Sequence, residues 1–141
     1  MRKVVKFGGR SLANAAQFKK VGEIIRADQT RRYVVPSAPG KRHINDTKVT
    51  DMLYHCYELA EKGKKFLPLL NEIKARYEEI IDGLQLELSL DKEFEVIAEQ
   101  FLKKAGRDYA ASRGEYLNGK VMAAYLGYEF VDAADAVSYT H

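Results

Sequence analysis

The sequence predicts an α/β fold with a mainly parallel sheet covered by helices. Two observations lead there. Short β-branched and aromatic runs alternate with helical periods at both ends of the chain, and a block of helices fills its middle. The 141 residues, 46% apolar and 30% charged, suit one domain with a single core and are too apolar and varied for a disordered chain.

Val4-Val5-Lys6-Phe7 reads as a strand stopping at a Gly8-Gly9 turn. Leu12, Ala15, Phe18, Val21, Ile24 and Ile25 then recur at helical spacing, with charged residues between them. Tyr33-Val34-Val35 is a second strand, halted by Pro36. From Ser37 to about Val49 the chain is a polar loop, long enough to cover or form a site. Thr50 or Asp51 is placed to cap a helix running to Gly63. Phe66, Leu69, Leu70, Ile73, Tyr77, Ile80, Ile81 and Leu84 give the cleanest helical stripe, and Phe94, Ile97, Phe101 and Leu102 mark another helix. Ser112-Arg113-Gly114-Glu115 fits a capping box opening a helix that Gly127 closes, after which Tyr128–Val131 is predicted as a strand. No repeat or domain linker interrupts this order.

Several classes are excluded. No stretch approaches the ~20 apolar residues of a membrane span, so no membrane partner is expected. The basic start is followed by only two apolar residues, unlike a signal peptide. One cysteine, Cys56, cannot form an internal disulfide, which suits a reducing cytoplasm, and it reads as a small core residue. The histidines His43, His55 and His141 have no metal-ligand spacing. Net charge is +3, but residues 1–50 hold 12 Lys/Arg against 3 Asp/Glu. These cations are scattered, without an aromatic-basic motif, and no nucleic-acid partner is expected.

Loops leaving the carboxyl ends of strands form the ligand crevice of open α/β sheets, so the Gly8-Gly9 turn and the Ser37 loop are expected to face one site. Glycines let backbone N–H groups approach an oxyanion, and a following helix N-terminus adds partial positive charge. Lys6 could then reach a phosphate, with donors from Gly8, Gly9, Arg10 and Ser11. Equally, this is an ordinary turn with a solvated lysine and Ser11 as N-cap. Ser37 offers a hydroxyl to an anion, or simply forms a turn. Glu115 serves the capping box, or receives a substrate ammonium.

Taken in order, Lys6 to Ser11, Val34 to Ala38 and Ser112 to Glu115, with Gly119-Lys120 and Phe130 to Asp135 after them, resemble the start of the aspartate kinases of the amino-acid kinase family. Arg10 stands where that family has a small hydroxyl residue. The resemblance implies a three-layer α-β-α sandwich, with residues 1–141 as the N-terminal, aspartate-binding portion and the nucleotide-binding half and ACT domains absent. It implies a kinase that moves the γ-phosphate of ATP, with Mg²⁺, to the β-carboxylate of L-aspartate in lysine, threonine and methionine biosynthesis, and a homo-oligomer. Lys6 would stabilise the transferring phosphoryl as the catalytic cation, with Gly8, Gly9 and Ser11 beside the phosphates. Ser37 and Thr50 would touch aspartate, and Glu115 would hold its ammonium. The end at His141 resembles a cut within a domain, so the chain alone is expected to be inactive. The alternative is a non-catalytic module that binds an anion or associates with itself.

Overall fold

The computed structural model describes residues 3–132; Ala133-Ala134-Asp135 and the chain end through His141 lie outside them. Strands β1 (Lys3–Phe7) and β2 (Arg31–Pro36) pair in parallel, with Val4 opposite Tyr33, Val5 opposite Val34 and Lys6 opposite Val35. Helix α1 (Ala15–Arg26) crosses between them, giving the predicted β-α-β unit. Strand alternation divides the residues cleanly. Val5, Phe7 and Val34 pack against the core, whereas Val4, Lys6, Tyr33 and Val35 are exposed on the other face.

The start of α1 differs from expectation. A single 3-10 turn, Gly9–Leu12, follows β1, and the N-cap of α1 is Asn14, whose side chain accepts from the Gln17 amide at 3.0 Å. Ser11 is therefore not a cap; its own N–H already donates to the Gly8 carbonyl at 3.1 Å. The N-terminal charge of α1 consequently does not fall on the glycine turn.

Helix α2 (Val49–Glu61) starts one residue before the expected caps, so Thr50 and Asp51 lie in its first turn and Lys48 occupies the N-cap without a side-chain bond. A carbonyl replaces the missing cap: the Val49 N–H donates to Pro39 O at 3.1 Å. Helices α3 (Leu67–Gly83) and α4 (Asp91–Leu102) follow the predicted stripes. Their inward residues, with Phe18 and Leu53, form the buried core around Tyr77 and Phe101. Full burial of such a side chain stabilises by about 1.5–3 kcal/mol.

Helix α5 (Arg107–Leu126) overturns the capping box. Its N-cap is Gly106, and Ser112 is interior, its hydroxyl donating to the Tyr109 carbonyl one turn earlier at 2.8 Å. Hydrophobic spacing concealed this start because the buried face of α5 contains Ala110, Gly114 and Asn118 beside Leu117, Val121 and Met122. Gly127 ends the helix as predicted. Tyr128–Val131, however, is not a strand. A strand needs a ladder partner, and among the described residues β1 and β2 pair only with each other. Phe130 instead packs edge-on against Tyr116, with ring centroids 5.7 Å apart.

Candidate functional site

The turn after β1 and the loop after β2 are joined at the carboxyl ends of the strands. The Ser37 N–H donates to Phe7 O at 3.1 Å, and the Gly40 N–H to Gly9 O at 2.8 Å. Both glycines at this contact are sterically required. A Cβ on Gly9 would lie 2.8 Å from Ala38 O, and one on Gly40 only 2.6 Å from the Gly9 carbonyl carbon. Gly8 is different, since a Cβ there meets nothing within 4 Å and its φ is −75°.

The long polar loop is fastened from beneath by Arg76 of α3. This guanidinium is buried, donating to Gly40 O and Thr47 O, both at 2.7 Å. Asp46 stands 3.7 Å from it and receives the Arg42 Nε at 2.7 Å and the Arg42 N–H at 2.9 Å. The bonds from Arg42 hold the Asp46 carboxyl well below the usual carboxylate range. Burial pulls the Arg76 pKa down, and the nearby Asp46 charge opposes that shift.

Helix α5 closes the third side. Gly114 lets it press on the loop, because a Cβ there would lie 2.6 Å from that of Ala38. Tyr77 donates its hydroxyl to Gly114 O at 2.8 Å, and the Asn118 amide donates to Ser37 O at 2.7 Å. These contacts stand Glu115 beside the Ser37 loop.

The result is a cleft of about 450 Å³ lined by Gly9, Ser37, Thr50 and Glu115, with Ala38, Pro39 and Gly40 between them and the cations Arg10, Lys41 and Lys48 around them. One carboxylate among three cations suits a ligand carrying both an ammonium and several negative oxygens. Four of the predicted site residues thus meet, although they come from distant parts of the chain. Lys6, Gly8 and Ser11 are not in the lining. Lys6, one residue before the end of β1, lies on the exposed face of the sheet, opposite the face that carries the helices. Arg76 and Asn118 were missed, as was the placing of Lys41 and Lys48 on the rim. Arg76 did leave a signal: a lone cation at a stripe position between Ile73 and Ile80. Among the described residues no group of three His, Cys, Asp or Glu could hold a metal ion. Cys56 is buried in the core, and burial pushes its thiol up to about 12, which leaves it unreactive.

The sequence profile of the amino acid kinase family matches residues 1–139. The chain belongs to the amino acid kinase family. This amino acid kinase chain is 40% identical to aspartokinase 3 of Bacillus subtilis over an alignment of 142 positions that covers 93% of the chain and 30% of that protein. It also superposes on the crystal structure of aspartate kinase from Clostridium acetobutylicum with a TM-score of 0.87 and 46% identity, covering 91% of the chain and 30% of that one. Escherichia coli aspartokinase III, in complex with aspartate and ADP, shares the fold at a TM-score of 0.67 and 24% identity over 90% of the chain and 29% of its own. The chain thus spans about 30% of the length of the relatives it matches. The predicted fold class holds: the helix-rich architecture with its parallel strand pair is that of an aspartate kinase over this part.

Proposed function

We propose that this chain is the N-terminal, aspartate-binding portion of an aspartate kinase, whose nucleotide half and ACT domains lie in sequence beyond it. The proposed parent reaction passes the γ-phosphate of ATP to the β-carboxylate of L-aspartate, opening the route to lysine, threonine and methionine. The observation that carries this reading is the single cleft that joins the Gly9 turn, Ser37, Thr50 and Glu115. The loss of the capping box strengthens it. Glu115 lies mid-helix and exposed, so helix initiation no longer accounts for its carboxylate.

In this reading Glu115 holds the α-ammonium of aspartate, and Thr50 and Ser37 donate hydroxyls to its carboxylates. A β-carboxylate oxygen attacks the γ-phosphorus, the bond to the bridging oxygen breaks, and ADP leaves with that electron pair. A carboxylate is already a nucleophile at neutral pH, so no general base is needed and catalysis reduces to positioning and charge neutralisation. Arg10 and the Gly9 turn face the incoming phosphoryl, with Ser11 and Gly8 behind them. Lys6 serves it from the open sheet face at the same strand end. In this reading magnesium arrives on the nucleotide, bound mainly by its phosphates. The reading includes a cytoplasmic homo-oligomer, and no helix among the described residues is long and apolar enough to cross a membrane.

The test is an amide NMR titration with L-aspartate and, separately, with succinate, which lacks the ammonium. Saturable shifts at Ser37, Thr50 and Glu115 with L-aspartate, much weaker with succinate, support the reading. Equal response to both removes Glu115 from its role, and no response to either overturns the aspartate site.

A further inference from the structure

Among the described residues, Asn118 is one of two buried polar residues that the proposed mechanism leaves unused. It has no exposed surface, and its side-chain oxygen Oδ1 has no hydrogen-bond partner among the described residues. An unpaired amide oxygen in a core is unfavourable, and a leucine, which branches at the same carbon without a polar atom, would avoid it. The presence of an amide here must therefore be explained by its other half. That half, Nδ2, donates to the Ser37 carbonyl at 2.7 Å across 81 positions of sequence.

The geometry around this bond is specific. The Ser37 N–H is already held by Phe7 O at the end of β1, so Asn118 fixes the remaining backbone polar group of the same residue. Both anchors are rigid elements, a strand and a 20-residue helix. Asn118 also lies three residues after Glu115, placing the two on adjoining positions of α5. One helical turn thus carries a carboxylate on the cleft and a strut to the serine that shares it.

We infer that Asn118 is a positioning residue for substrate recognition: its amide sets the separation of the Ser37 hydroxyl from the Glu115 carboxylate. This rests on the aspartate reading above. The strut suits a ligand whose ammonium and carboxylate lie a fixed distance apart, as in an α-amino acid. It explains why a polar residue stands in the packed interface of α5 with the loop.

The test is a double-mutant cycle on L-aspartate binding to the full chain, read by NMR titration, with the melting temperature recorded for each protein. Asn118→Leu removes the donor and the unpaired oxygen together, and Ser37→Ala removes the hydroxyl while keeping the carbonyl that Asn118 grips. Each single variant is expected to weaken L-aspartate roughly fivefold to tenfold, the scale of one hydrogen bond. The double variant is expected to bind no worse than Ser37→Ala alone, since the strut matters only through the hydroxyl. Should Asn118→Leu fail to fold, Asn118→Ala serves in the same cycle. Unchanged affinity in a folded Asn118 variant, or losses that simply add, overturns the inference while leaving the aspartate site standing. A wild-type chain that ignores L-aspartate overturns both.

Discussion

At the scale of the residue, Glu115 and Asp46 show how differently two carboxylates are used. Glu115 is exposed on the cleft, whereas Asp46 is enclosed by Arg42 and Arg76. Glu115→Gln keeps the shape and removes the charge. It is expected to weaken L-aspartate by about tenfold or more, the scale of a charged hydrogen bond, with thermal stability within ~0.5 kcal/mol of the parent. Binding and melting curves check this together. The Asp46 carboxyl is held below its unfolded value, so its contribution is complete above the ordinary carboxylate pKa and is lost as pH falls through the lowered one. Asp46→Asn is accordingly expected to lower stability at neutral pH and to flatten acid unfolding below about pH 4, measured by denaturant titrations at several pH values. Residues of these two kinds were unequally legible. Ser37 and Glu115 stood in recognisable local patterns and Asp46 has its main partner four residues away in Arg42, but Arg76 acquires its meaning only from contacts with Gly40, Asp46 and Thr47, some 30 positions distant.

At the scale of the element, the tight contacts separate the two glycines of the turn. Gly8→Ala meets open space at an ordinary φ and is expected to be nearly neutral, whereas Gly9→Ala and Gly114→Ala each force an overlap with fixed neighbours. Overpacking of this type costs about 1–3 kcal/mol, readable as a fall in melting temperature. Equal effects at Gly8 and Gly9 would contradict the packing described for the strand-end loops. The same elements show what periodicity conveys. The stripe of α3 is built of large apolar side chains and was read nearly to its ends. The start of α5 was not, because its inward positions hold alanine, glycine and asparagine, which carry little hydrophobic signal. The segment after Gly127 failed for another reason: its β-rich composition is local, but a ladder needs a second strand.

At the scale of the whole molecule, the described residues build one wall of a site. The helices cover one face of the strand pair, and Val4, Tyr33 and Val35 remain exposed on the other, with Lys6 among them. This uncovered face fits the proposed aspartate kinase reading, in which another layer packs against it. With ATP, Mg²⁺ and L-aspartate the chain by itself is expected to release no ADP above background in a coupled assay. Joined to the remaining part of the Bacillus subtilis relative, it is expected to restore turnover. The order of motifs along the chain was legible because backbone turns and helix faces are local. Their convergence was legible only through the rule that strand-end loops share a crevice.

The most direct test of that convergence is the L-aspartate titration followed amide by amide. The expected result is a saturable set of shifts confined to Gly9, Ser37, Thr50, Glu115 and their neighbours, sharing one dissociation constant. Shifts scattered over separate surfaces with unrelated constants, or their absence, would contradict a common pocket.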